Sequence, residues 1–109
     1  MLITCGDSYQ VQDQDSHVLA DNRLFGKHVL FGGVSRDGKR FVVRVIRQGL
    51  FDPWPVNDEE FRVYEVGQKK ASAAVVVQHP AEGSWSALSP KGDLLLIGSA
   101  DGLRLYRLP

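Results

Sequence analysis

The chain has 109 residues, of which 13 are basic and 13 acidic, so its formal net charge at pH 7 is zero. This length suits one domain, and the balanced charge argues against non-specific nucleic-acid binding, which draws on many Lys and Arg contacts to phosphates. The single cysteine excludes an internal disulfide and a Cys-based zinc site. No apolar run approaches the roughly 20 residues of a membrane-spanning helix, and no signal-peptide pattern opens the chain. We therefore expect a cytoplasmic protein with no nucleic-acid or membrane partner.

Residues 1–14 predict a β-hairpin. Two strand-like stretches, Leu2–Cys5 and Tyr9–Gln12, flank a turn at Gly6-Asp7-Ser8. The pattern returns 94 positions later, at residues 96–105. Half of this spacing falls within the roughly 40–50 residues of a four-stranded unit in repeat proteins. The hairpin is therefore predicted to be half of such a unit.

Residues 17–66 predict a complete four-stranded unit. His17–Ala20 and His28–Phe31 are expected as its first and second strands. The turn Ser35–Lys39 then precedes Phe41–Ile46, a nearly continuous apolar stretch that is typical of a strand buried on both faces. Gly32 and Gly33 indicate an irregularity at the end of the second strand.

Residues 71–108 predict a second complete unit. Its turn, Ser89–Asp93, follows Ser35–Lys39 by 54 positions. The turn precedes the apolar stretch Leu94–Ile97, which is also typical of a strand buried on both faces. Val75–Val77 favours a strand that opens this unit, although Gln68–Ala74 alone could begin a helix.

The last strand of each complete unit has alternating apolar and polar residues. Phe61–Val66 and Leu103–Leu108 are related by only 42 positions, whereas the preceding turns are related by 54. The period-2 pattern predicts half-exposed strands. The difference in spacing indicates a 12-residue insertion in the last hairpin of the middle unit, within residues 47–60.

These residues resemble WD40-like β-propeller repeats, including the repeats of TolB-type propellers. The resemblance rests on four features: the Ser-x-(Asp/Lys)-Gly turn, the apolar strand after it, the turn Gly98–Gly102 and the closing strand Leu103–Tyr106. The resemblance implies an all-β fold of antiparallel four-stranded sheets, stacked as the blades of an incomplete propeller. It also implies a scaffold that binds proteins or peptides.

A closed propeller needs at least four blades, and this chain supplies about two and a half. The shortfall predicts self-assembly, pairing with another partial propeller, or origin as a fragment of a longer propeller, and we expect a homo-oligomer. The leading function is a non-catalytic protein- or peptide-interaction module without cofactors. The alternatives are a carbohydrate-binding, lectin-like propeller subunit and a subunit of an enzyme whose site forms only on assembly.

The inserted loop contains the first group of candidate binding residues. Two prolines stiffen the segment around Phe51, Asp52 and Trp54, and rigid aromatic side chains are enriched at binding hot spots. Alternatively, the aromatic rings fold back to cover a sheet edge. Arg44 and Arg47 belong to a locally basic stretch suited to an acidic ligand. Alternatively, acidic residues on the other arm of the hairpin neutralise it.

No residue cluster predicts catalysis or metal binding. His17, His28 and His79 lack the spacing of metal ligands. Acidic residues near the N-terminus are expected to cap turns rather than to bind calcium, and Cys5 is expected to be a small core residue. The acidic residues in question are Asp7, Asp13 and Asp15.

Overall fold

The computed structural model describes residues 1–24, 27–47, 59–77, 84–99 and 102–109, except for the side chain of Arg47. These residues form ten β-strands. No helix that is long and apolar enough to cross a membrane occurs among them. The strands are β1 (Leu2–Cys5), β2 (Ser8–Gln12), β3 (Val18–Arg23), β4 (Lys27–Val34), β5 (Arg40–Arg47), β6 (Glu59–Glu65), β7 (Ala73–Val77), β8 (Trp85–Leu88), β9 (Leu94–Ser99) and β10 (Gly102–Arg107).

The strands build three antiparallel sheets, each with its strands side by side in chain order. The first sheet contains β1–β3, the middle sheet β4–β7 and the last sheet β8–β10. The all-β prediction is therefore confirmed. Counted over the described residues, only the middle sheet has the predicted four strands, and each of the others has three.

Three strand assignments made from the sequence were wrong. The strand that contains Val18 was expected to open the middle unit, but β3 pairs with β2 in the first sheet. The strand Ala73–Val77 was expected to open the last unit, but β7 pairs with β6 in the middle sheet. Strand β4 is consequently the first strand of its sheet rather than the second. Local patterns identified the strands, but only hydrogen-bond pairing decides which sheet each one joins.

The repeated turns have the same backbone structure. The amide of Ser35 donates to the carbonyl of Arg40 at 2.9 Å, and the amide of Ser89 donates to the carbonyl of Leu94 at 3.0 Å. The glycine of each turn has a positive φ, of 74° at Gly38 and 73° at Gly92. Glycine adopts this left-handed conformation without the steric cost that a Cβ would add. The repeat seen in the sequence is therefore a repeat of structure.

The partial repeat at the N-terminus is confirmed by strand register. Leu2 pairs with Val11 across β1 and β2. Leu96 pairs with Leu105 across β9 and β10, with both partners 94 positions further along the chain. Strands β1, β5 and β9 are therefore equivalent, as are β2, β6 and β10.

Two hydrophobic clusters hold the sheets together, one on each face of the middle sheet. The first contains Tyr9 from the first sheet and Phe41 and Tyr64 from the middle sheet, with neighbouring ring centroids 5.1–5.4 Å apart. The second joins Phe61 of the middle sheet to Leu95 of the last sheet and to their neighbours. The edge strand β4 contacts β1 and β8, which are each one of the two edge strands of their sheets.

Burial differs from the sequence-based expectation at several positions. Phe61, Val63 and Tyr64 are fully buried, because β6 is covered on both faces instead of being half-exposed. Strand β9, expected to be buried on both faces, is covered only on the face that carries Leu95. Cys5 is exposed rather than part of the core.

Candidate interaction surface on the last sheet

The sheets stack through a repeated pair of faces. We call the face directed towards the next sheet along the chain the forward face, and the opposite one the rear face. The residues in contact between the first and middle sheets occupy positions equivalent, by the repeat spacings, to those in contact between the middle and last sheets. The forward faces carry Leu2, Tyr9 and Val11 in the first sheet and Val42, Phe61 and Val63 in the middle sheet; the rear faces carry Phe41, Val43 and Tyr64 in the middle sheet and Leu95, Ile97 and Tyr106 in the last.

The forward face of the last sheet has no cover among the described residues. On this face, Leu103 and Leu105 occupy the positions that Phe61 and Val63 occupy in the middle sheet. The two leucines are 68% and 65% exposed, whereas their equivalents in the middle sheet are 0% exposed. Trp85 lies on the same face and is 47% exposed. Monomeric proteins rarely expose contiguous apolar side chains of this size. This forward face is the strongest candidate interaction surface in the described part of the chain.

The position of Trp85 depends on a glycine in the neighbouring strand. Trp85 pairs with Gly98, and a Cβ added at Gly98 would lie 2.3 Å from the indole Cε2. The indole therefore lies flat against the backbone of β9, on the face that also carries Leu103. This arrangement widens the apolar surface at the start of β8.

The first sheet exposes apolar side chains on its rear face, at the other end of the stack. Ile3 is 40% exposed and Val18 is 51% exposed. Strand register places both on the face opposite Leu2, because Ile3 pairs with Gln10 and Val18 pairs with Gln12. The two ends of the described chain therefore present opposite kinds of face, a forward face and a rear face.

The structure describes only part of the binding site predicted from sequence. Phe51, Asp52 and Trp54 lie outside the described residues, as does the side chain of Arg47. Arg44 is described, and its Nη1 donates to the carbonyl of Ser84 at 2.6 Å.

Arg44 also forms an ion pair with Glu59, with 3.5 Å between its Nε and the carboxylate. The Ser84 hydroxyl donates to the same carboxylate at 2.7 Å. Arg44 thus connects β5 to the residue that precedes β8, and its role in ligand binding stays a prediction.

Acidic partners lie beside three arginines of the middle sheet, and the pair Arg44–Glu59 agrees with the sequence-based interpretation that the two arms of the hairpin neutralise each other. Arg40 forms an ion pair with Glu65 at 3.2 Å, directly across β5 and β6. Arg62 forms an ion pair with Glu60 on its own strand. The positive charge of Arg40, Arg44 and Arg62 is therefore balanced locally.

Arg40 also lines a cavity of about 690 Å³ between the two repeated turns. Its guanidinium donates to the carbonyls of Gly92 at 2.8 Å and Pro109 at 2.6 Å. The side chain therefore links the middle sheet to the last sheet.

Among the described residues, one group has ligand atoms close enough together to hold a metal ion. It consists of Asp13, Asp15 and His17, and one potential ligand atom of each lies within 4.8 Å of the others. Asp13 instead serves the turn, accepting hydrogen bonds from the amides of Asp15 and His17 at 2.9 Å each. These bonds, that from His17 foremost, lower the pKa of the Asp13 carboxyl. The turn-capping expectation is confirmed for Asp13. His79 lies outside the described residues.

Sequence reasoning did not identify the forward face of the last sheet as a site. The alternation of Leu103 and Leu105 with Arg104 and Tyr106 was interpreted as an ordinary half-exposed strand. The missed signal was that equivalent positions in β6 also carry large apolar residues, which would need a following sheet to cover them. Comparison of the chain with protein-family models, curated protein sequences and solved structures finds no match.

Proposed function

We propose that this protein is a non-catalytic interaction module that completes a propeller-like ring of sheets by self-assembly. One observation carries the proposal. No described residue covers the forward face of the last sheet, whereas the equivalent faces of the first and middle sheets are each covered by the rear face of the next sheet. A second copy supplies the missing cover.

The contact that we propose is head-to-tail. The forward face of the last sheet, with Leu103 and Leu105, packs on the rear face of the first sheet of the next copy, with Ile3 and Val18. Both surfaces expose apolar side chains, which such packing removes from water. A head-to-tail contact between unlike faces either closes into a ring or extends into a filament. The resemblance to propeller repeats favours the ring.

The first test is the molar mass in solution, measured by sedimentation equilibrium at micromolar concentration. We expect a multiple of the monomer mass for the natural chain and the monomer mass for Leu103→Glu, because a buried unpaired charge opposes association. Val76→Glu is the matched control, since Val76 is 54% exposed but lies on β7 of the middle sheet. A folded natural chain that stays monomeric contradicts the proposal, as does equal dissociation of both variants.

A further inference from the structure

Within the described part of the chain, the last sheet is one strand short at its outer edge. Strands β2, β6 and β10 are equivalent by register, and β2 pairs with β3 just as β6 pairs with β7. No described strand pairs with β10 on the corresponding side. This edge is a different surface from the forward face, so the following inference goes beyond the proposed function.

The backbone of β10 has hydrogen-bonding groups directed at the open edge. The amide of Leu108 donates to the carbonyl of Asp93 at 2.8 Å. This bond shows which residues of β10 direct their backbone hydrogen-bonding groups towards β9. In an antiparallel pair, residues whose backbone N–H and C=O groups point to the partner strand alternate with residues whose backbone groups point away from it. The backbone groups that point to the open edge are therefore those of Leu103, Leu105 and Arg107.

A groove of about 440 Å³ runs beside this edge, between β7 and the last sheet. Val77 and Ile97 give it apolar walls, and Gly102, the first residue of β10, has no side chain to fill it. A strand added to β10 would direct every second side chain towards the middle sheet and into this groove. Small or β-branched side chains fit such a position, as the Ala and Val residues of β7 do beside β6.

Charge further specifies the incoming strand. Arg104 lines the groove and is exposed, and its side chain forms no hydrogen bond or ion pair with any described residue. Its equivalent in the middle sheet, Arg62, pairs with Ala74 of β7. An acidic residue at the position equivalent to Ala74 would lie directly opposite Arg104, where opposite charges on paired strands attract.

We propose that the outer edge of β10 binds an extended segment of another protein as an antiparallel fourth strand. The segment takes the register of β7 beside β6, with small or β-branched residues towards the groove and an acidic residue opposite Arg104. Main-chain hydrogen bonds provide the affinity, and the alternate side chains provide the specificity. The described strands of a second copy do not supply the fourth strand, because β3 and β7, the strands equivalent to the missing one, are already paired within their own sheets.

The test uses the full chain and two synthetic octapeptides. One has the sequence of residues 70–77, Lys-Ala-Ser-Ala-Ala-Val-Val-Val. The other carries Glu at the position of Ala74. Binding is followed by NMR titration and by hydrogen exchange of the backbone amides of Leu103, Leu105 and Arg107. We expect those amides to become protected, and the Glu peptide to bind about two- to five-fold more tightly.

Two variants test the binding geometry. Leu105→Pro removes one amide at the open edge and preserves the hydrogen bonds to β9, since proline is tolerated where an edge amide faces solvent. We expect it to abolish protection, whereas Leu105→Ala, which only shortens the side chain, retains it. Arg104→Glu, which leaves the backbone unchanged, is expected to reverse the preference between the two peptides.

Three outcomes overturn the inference: no protection at the edge amides, equal binding by the Pro and Ala variants, or an unchanged peptide preference in Arg104→Glu. Failure of self-assembly is recognised separately. Leu103→Glu, which should abolish head-to-tail packing, keeps the backbone groups of β10 and is expected still to protect Leu105 and Arg107 when peptide is added.

Discussion

Each of the two repeated turns is organised by one serine hydroxyl. Ser35 donates to the Asp37 carboxylate and accepts from the amide of Arg40, and Ser89 donates to Asp93 and accepts from the amide of Leu94. The aspartate is two residues after the serine in the first turn and four residues after it in the second. The acidic and basic positions are therefore exchanged between the turns, yet the same hydrogen bond forms.

These hydrogen bonds predict a pH dependence of stability. The serine hydroxyls, as the largest cause, hold the pKa of Asp37 and of Asp93 below the ordinary value of 3.8. A lowered pKa in the folded state contributes stability above the ordinary pKa, and this is lost as the pH falls through the lowered one. We expect the free energy of unfolding to fall less for the double variant Asp37→Asn/Asp93→Asn than for the natural chain as the pH is lowered from about 5 to about 2.

Urea unfolding at a series of pH values measures this difference. Asp15→Asn is the control, because Asp15 is an exposed turn carboxyl outside both repeated turns. Parallel acid limbs for the double variant and the natural chain would contradict the assignment.

At the scale of the strand, two glycines allow close approach for different reasons. Gly32 lies at the bulge of β4, where a Cβ would meet the backbone carbonyl oxygen of Val42 at 2.6 Å. Gly98 lies under the indole of Trp85, an exposed side chain that can rotate away. The irregularity predicted from the Gly32-Gly33 pair is confirmed as a β-bulge between Phe31 and Gly33.

This difference predicts unequal effects of the same substitution. Gly32→Ala is expected to lower the free energy of unfolding by about 1–3 kcal/mol, because backbone atoms must shift to make room. Gly98→Ala is expected to cost less and to change tryptophan fluorescence as Trp85 moves outwards. Chemical denaturation with fluorescence detection compares the two variants, and equal losses would show that the contact at Gly32 is not rigid.

At the scale of the whole molecule, β6 holds the stack together, because its two faces belong to different clusters. Tyr64 packs with Tyr9 and Phe41 against the first sheet. Phe61 belongs to the cluster shared with the last sheet. Both side chains are almost fully buried.

Truncation on either side of β6 should therefore release a different sheet. Tyr64→Ala and Phe61→Ala are each expected to cost about 3–5 kcal/mol of unfolding free energy, the usual range for a deleted core aromatic. Hydrogen exchange should accelerate mainly in β1–β3 for Tyr64→Ala and mainly in β8–β10 for Phe61→Ala. Identical exchange patterns in the two variants would contradict this division of the core.

Local features were predictable because short-range chemistry controls them. The turns at Ser35 and Ser89, the N-terminal hairpin and the buried strand at Phe41–Ile46 agree with the structure. The sheet to which β3 and β7 belong was not predictable. Each of these strands lies in the sequence between a preceding and a following strand, and it pairs with only the preceding one.

The sequence by itself determined an all-β chain with repeated turns, because side-chain alternation and glycine-containing turns depend on residues close together in the chain. The tertiary structure alone decided which apolar faces are covered. Phe61 and Leu103 occupy equivalent positions with the same local pattern, yet one is 0% and the other 68% exposed. Burial depends on whether another sheet lies opposite, and a local pattern carries no record of that neighbour.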